Sequence, residues 1–267
     1  MKIDELISKS VAGEIGEDPE NLHVTGAAYI FQTTQFPKTT TKYYNYYTLL
    51  RVNDYFGACC HTKEQADLKI AEDLSGTKLS DALLDQRLNV RIAALDAYLG
   101  NIRPHKKCSR KTVTIPAGTA VDRANFRDKT IAEIANIKAG EKVALIGVVN
   151  PLVKAITDRG GICLPCDLDM KVTESGQMVE PDMEVVLSEA DKVISTAMTL
   201  SNGTFDRIRQ RAMERRIDLI IYGQTGSAVA AYYVGNGVSA VVAEPFPFSQ
   251  FTTDDSNLYL YGAVNND

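Results

Sequence analysis

Two rhythms of hydrophobic and polar positions divide the chain. Over the first hundred residues a helical opening gives way to stretches rich in Tyr, Val, Thr, Leu and Phe at 22–31 and 43–60, then to helical periodicity, with no strand-helix alternation. That order predicts an antiparallel α+β unit. Segments 46–50 and 55–60 flank Val52-Asn53-Asp54 as the arms of a hairpin. Thr62 and Gln65 have capping-box spacing, which predicts a helix start near residue 63. Leu88, Ile92, Leu95 and Leu99 recur at intervals that share one helical face, with Gly100 as the expected stop.

From residue 142 the rhythm changes. Apolar runs at 142–149, 162–164, 192–196, 218–222 and 238–243 alternate with helical patterns at 150–159, 182–190, 203–216 and 227–234. Asn150-Pro151 supplies a cap and a proline at a first helical position, and Phe205, Ile208 and Ala212 share the inward face of their helix. Such alternation requires right-handed crossovers and a parallel sheet covered on both faces. The predicted class is therefore α/β: a Rossmann-like parallel sheet with helices on both faces, preceded by a smaller α+β domain. Residues 101–118, with a basic cluster and two prolines, read as the connection, giving a division into 1–105 and 106–267. Thr130 and Glu133 repeat the capping-box spacing before a short helix that Gly140 would stop.

Composition narrows the function. At 267 residues the chain exceeds the usual size of one core, which favours two domains. A net charge of -5 gives no overall basic field and argues against nucleic acid; the basic run near residue 105 reads as a solvated face, with an acidic ligand or phosphate as the alternative. No run approaches the roughly 20 apolar residues of a membrane span, and Met1-Lys2-Ile3-Asp4-Glu5 lacks a signal-peptide core, so the expected location is cytoplasmic, without membrane partners. A homo-oligomer is compatible with this composition. Five cysteines, an odd number, indicate reduced thiols, and only three histidines limit zinc-hydrolase readings.

In an open α/β sheet the ligand sits beyond the carboxyl ends of the strands. The loops there offer Asn150; Thr199, Asn202 and Thr204 from the polar stretch 196–204; and Thr225 and Ser227 from Gly223-Gln-Thr-Gly-Ser227. Each can bind an anion or simply satisfy a helix terminus. Asp167, Asp169, Glu244 and Cys166 are the candidate metal ligands, with a divalent metal as the candidate cofactor. Asp167 lies 20 residues after Gly147, as a ribose-binding acid would, but Val149 and Leu152 occupy the other two glycine positions, which argues against a nicotinamide dinucleotide. Cys163-Leu-Pro-Cys166 has no second pair to complete a zinc site, and Cys59-Cys60-His61 on a strand points alternately to two faces.

Segments 194–206, 222–227 and 237–244 resemble the putative heavy-metal chelation family. The resemblance covers nearly the whole chain and implies an enolase-N-terminal-like domain followed by a Rossmann-like domain. It also implies a ligand cleft between them near Thr199, Asn202, Thr204 and the Thr225–Ser227 turn. Gly223-Gln224-Thr225-Gly226 departs from the family's proline-containing turn, which puts identical ligand geometry in question. The leading expectation is binding or handling of a metal or small metal chelate in that cleft, in the context of chelator biosynthesis. The alternatives are an enzyme acting on a small anionic substrate at the helix N-termini, and a non-catalytic regulatory or scaffolding subunit.

Overall fold

The computed structural model describes residues 1–35, 37 and 42–263. Helix α1 (Ile3–Val11) is followed by strands β1 (Gly26–Thr34), β2 (Tyr43–Val52) and β3 (Tyr55–His61), then helices α2 (Ile70–Leu74), α3 (Leu79–Leu83), α4 (Leu88–Ile102) and α5 (His105–Cys108). The remainder runs β4 (Lys111–Ile115), α6 (Ala120–Ile134), β5 (Lys142–Ile146), α7 (Asn150–Asp158), β6 (Ile162–Cys166), α8 (Met183–Glu189), β7 (Lys192–Thr196), α9 (Phe205–Arg215), β8 (Asp218–Gly223), α10 (Ser227–Tyr232), β9 (Ala240–Ala243) and β10 (Ser256–Gly262). The first three strands form an antiparallel sheet in the order β1-β2-β3, and the other seven a mostly parallel sheet in the order β4-β10-β9-β8-β7-β5-β6. Among the described strands of the larger sheet β10 alone runs against the rest, pairing antiparallel with β4 on one side and β9 on the other.

The apolar runs of the large sheet are continuous because both faces are covered, and successive residues serve different cores. Val143, Leu145, Ile194, Ile220 and Val242 pack with Ile131 of α6 and Leu152 and Ile156 of α7. Ala144, Ile146, Val193, Leu219, Ile221 and Val241 face the other way, toward Leu187 of α8, Phe205 and Ile208 of α9 and Val229 of α10. Ile92, Leu95 and Leu99 of α4 belong to this second cluster, so the N-terminal part shares a core with the large sheet. Helix α4 is accordingly buried around most of its circumference, wedged between β2 and β3 on one side and α10 on the other.

Several expectations shift by identifiable causes. Helix α4 passes through Gly100 and ends at Ile102, because Gly100 makes room for the ring of Tyr55 rather than a helix stop. Thr130 lies inside α6, its hydroxyl bonded to the Phe126 carbonyl at 2.9 Å. The actual cap is Thr119, which accepts from the Asp122 amide at 3.2 Å and donates to the Asp122 carboxylate at 2.6 Å. Asn150 opens α7 itself, with Val149 as the cap residue. Residues 111–115, read as part of a connection, form the edge strand β4; the strand alternates exposed Lys111, Thr112 and Thr114 with Val113, and its partner β10 lies about 140 residues further on. The expected division between residues 105 and 106 falls inside α5.

The closest packing between the small sheet and α4 is at Gly57. A β-carbon there would overlap the backbone of Ala93 and Ala97, neither of which can yield without moving the helix. Gly57→Ala is expected to cost about 3 kcal/mol of overpacking strain, read as a lowered urea midpoint; an unchanged midpoint would contradict this seating of β3 on α4.

Candidate functional site

Strands β6-β5-β7-β8-β9 change direction of progression between β5 and β7, and the loops beyond their carboxyl ends at this switch point form the candidate crevice. Gly147 follows β5 with a φ of 82°, and a side chain there would overlap that of Thr196 at the end of β7. The floor is completed by Tyr222, whose hydroxyl donates to the Gly147 carbonyl at 2.9 Å.

Strand β2 brings two tyrosines to this rim. The Tyr47 hydroxyl donates to Gln224 Oε1 at 2.8 Å, and Gln250 Nε2 lies 3.1 Å from the same hydroxyl and 3.0 Å from Gln224 Oε1. Gln224 Nε2 donates to Glu244 Oε2 at 2.9 Å, while Glu244 Oε1 accepts from the Ser249 amide at 2.6 Å. Arg127 lies 3.8 Å from Glu244 and donates through Nε to Asp128 Oδ1 at 3.2 Å. Loss of hydration raises the Asp128 carboxyl above its ordinary range, although Arg127 opposes the shift. Tyr43 hydrogen-bonds Asn150, and burial together with the nearby Glu174 carboxylate raises its pKa. Asp128, Asn150 and Glu174 also line one end of a groove of about 740 Å³ that follows α7. Gln224, Gln250, Arg127, Tyr43 and Asn150 are all half-buried, so the network borders solvent.

The residues singled out from sequence are spread along this crevice. Asn150 accepts from the Glu174 amide at 2.9 Å. Asn202 Oδ1 accepts from the amide and hydroxyl of Thr204 at 3.1 and 2.7 Å, in an exposed turn. Thr199 is buried and donates to the Thr196 carbonyl at 2.8 Å. Thr225 and Ser227 lie inward, against the N-terminal part. Thr225 Oγ1 accepts from the Cys60 amide at 2.9 Å, and the Gly226 amide donates to the Ala58 carbonyl at 2.8 Å, so this loop occupies the free edge of β3. Cys59 and Cys60 on that strand point into different cores.

The metal candidates do not come together. Among the described residues no three His, Cys, Asp or Glu side chains form a metal-ligating group. Asp167 spends one oxygen on the Val148 amide at 2.9 Å and the other on the amides of Asp169 and Met170 at 2.9 and 3.1 Å. Cys166 is buried, which pushes its thiol up to about 12, and Asp169 is exposed. This donor set does not fit a bare heavy-metal ion, which needs several deprotonated ligands converging on one point.

Behind the loop lies a buried polar cluster that sequence reading missed. Asp96 of α4 accepts from the Ala58 amide at 2.9 Å and the Ala228 amide at 2.7 Å, joining β3 to the start of α10. Burial pushes its carboxyl up to about 7 against the lowering effect of these donors. His105 Nε2 lies 3.1 Å from Ser227 Oγ and 3.0 Å from the Tyr55 hydroxyl, with Nδ1 2.7 Å from the Tyr261 hydroxyl. Burial holds His105 down at about 4, so it is neutral. A signal for Asp96 exists in the sequence: it is the lone charge in the otherwise apolar stretch 92–99. Tyr47, Arg127 and Gln250 carry no such mark.

Residues 130–243 match the model of the DUF364 family, described as putative heavy-metal chelation. The match includes segments 194–206 and 222–227, on which the resemblance was read, and most of 237–244. A DUF364-family protein of unknown function from Desulfitobacterium hafniense shares the fold, with 16% identity and a TM-score of 0.62 over 90% of this chain and 85% of that one. Another, from Pyrococcus horikoshii, is 14% identical with a TM-score of 0.59 over 99% of this chain and all of its own, 100%. At such identities the similarity is one of fold. No curated protein matches the chain. Among the described residues no helix is long and apolar enough to cross a membrane.

Asp96 and His105 give opposite pH dependences. Asp96, raised from 3.8 to about 7, contributes stability that is full at low pH and lost as pH rises through 7; His105, lowered from 6.5 to about 4, contributes stability present above 6.5 and lost as pH falls through 4. The stability advantage of the wild type over Asp96→Asn is therefore expected to be about 2 kcal/mol larger at pH 5 than at pH 8. For His105→Asn the advantage is expected to be larger at pH 8 by a similar amount. Urea unfolding of the three proteins at both pH values provides the check, and parallel curves would contradict both assignments.

Proposed function

We propose that the chain binds a small, oxygen-rich organic ligand in the crevice at the carboxyl ends of the large sheet, and takes metal there as a chelate. The observation that carries this reading is the connected set Tyr47, Gln224, Gln250, Glu244 and Arg127, drawn from both parts of the chain, with Tyr47 and Glu244 buried and Gln224, Gln250 and Arg127 half-buried at its solvent side. Two carboxamides offer donors and acceptors in either orientation. Arg127 makes one hydrogen bond among the described residues, through Nε to Asp128, and its Nη1 faces Glu244 at 3.8 Å, so Nη2 is the group offered to a ligand carboxylate. Asn150 and Glu244 are ligand contacts in this reading, Asn202 and Thr204 border the entrance, and Thr199, Thr225 and Ser227 hold the loops from behind. The family description supports metal chelation. The donor set favours a metal whose coordination is supplied by the chelator, with Asp167, Cys166 and Glu244 contributing at most a single ligand each.

A second reading, catalysis on a small anion, is favoured by Asp128, a buried carboxyl held in its protonated form more readily than usual beside a guanidinium. Metal-independent turnover of the ligand, abolished by Asp128→Asn, would establish it.

The first test is a native mass spectrum of protein purified without affinity metal or chelator, expected to show a stoichiometric organic adduct with or without metal. Calorimetry with Ni²⁺ alone, citrate alone and the preformed Ni²⁺–citrate complex follows. Citrate or its complex is expected to bind at least tenfold more tightly than Ni²⁺. Arg127→Lys, which keeps the charge beside Asp128 but loses the planar fork, is expected to weaken the complex about tenfold, or about 1.4 kcal/mol. Equal binding of bare Ni²⁺ and the complex would overturn the proposal.

A further inference from the structure

On the far side of the Ser227–His105 pair lies a second cavity of about 350 Å³, separate from the crevice. Its wall contains Arg103 from the end of α4, Arg110 before β4, Tyr232 at the end of α10 and Tyr261 on β10; Ala228, Ala231 and Val234 supply an apolar surface. The guanidinium of Arg103 stacks on the Tyr232 ring at 5.4 Å, which holds the cation in place and leaves its N–H edge available. Arg110 uses one nitrogen on the Gly262 carbonyl at 3.3 Å. Tyr261 is fixed from behind by His105 at 2.7 Å, so the back of the cavity is rigid. Arg103, Lys106, Lys107, Arg110 and Lys111 crowd into nine residues without an acid, in a chain whose net charge is -5. Among the described residues none of the five makes an ion pair. Arg103 and Arg110 line the cavity itself, Lys106, Lys107 and Lys111 lie beside them in sequence, and the repulsion of like charges so placed is relieved by an anion.

We propose that this cavity binds a small organic phosphate monoester, its dianionic head between Arg103 and Arg110 and its apolar body on Ala228, Ala231 and Val234. Two forked cations match a doubly charged tetrahedral head, which accepts hydrogen bonds from both sides. The basic run is thereby a built anion site and not only a solvated face. The proposal is independent of the ligand assigned to the crevice.

Cys108 provides the readout. It lines this cavity and is exposed, whereas Cys59, Cys60, Cys163 and Cys166 are buried, so a neutral alkylating reagent under native conditions reports on Cys108. Phenyl phosphate in the millimolar range is expected to slow iodoacetamide labelling of Cys108 at least threefold, measured by intact mass. Inorganic phosphate at the same concentration is expected to protect less. Arg103→Gln and Arg110→Gln, both at exposed positions, are each expected to raise the phenyl phosphate concentration needed for half-maximal protection about tenfold while leaving the urea midpoint nearly unchanged. Unchanged labelling with phenyl phosphate, or protection that survives the double substitution, would overturn the site. Equal protection by inorganic phosphate would overturn its organic component.

Discussion

The buried carboxylate of Asp96 is the point on which the arrangement of this protein turns. A charge-bearing group inside an apolar helix is costly unless its oxygens find donors. Here the donors are the amides of Ala58 on β3 and Ala228 at the head of α10, one on each side of α4. Both are backbone groups, so meeting the needs of one side chain fixes two separate elements of main chain. The 223–228 loop is thereby held along β3, where Gly226 and Thr225 complete the open edge of the small sheet without a fourth strand.

That seating determines the crevice. Gln224 is adjacent to the loop residues bonded to β3, and its side chain meets Tyr47 on the neighbouring strand. Glu244 and Gln250 join from the segment after β9, which Arg123 steadies through hydrogen bonds to the Ser249, Pro116 and Asp254 carbonyls. The result is a rim with carboxamide, phenol, carboxylate and guanidinium groups in contact. Among the described residues no three His, Cys, Asp or Glu side chains converge as a bare ion would need, and the polar groups of this rim are bonded first to one another.

Charge is distributed unevenly over the molecule. At the rim Asp128 and Glu244 flank Arg127, while Glu174 lies nearer Tyr43. Two cations without an ion pair among the described residues, Arg103 and Arg110, line the cavity beyond the Ser227–His105 contact. An overall net charge of -5 conceals this local separation.

The alternation of strand and helix after residue 142 was legible in the sequence, because a sheet buried on both faces needs unbroken apolar runs and its helices need capped, one-sided patterns. The hairpin of β2 and β3 was legible from its turn, and the loops at the strand ends marked the region of the crevice. Strand β4 was not, because an edge strand with Lys111, Thr112 and Thr114 all exposed resembles a linker and its partner β10 is remote in sequence. Nor was the use of individual polar groups: Thr225 and Ser227 look like ligand-binding residues in a glycine-rich turn, yet in the folded chain they bond to Cys60 and His105. Local pattern determines which segments become strands and helices, since periodicity and capping act over a few residues. Which polar atoms are satisfied internally and which are left for a ligand is decided only when distant segments meet, because hydrogen bonding depends on ångström-scale contacts across the fold.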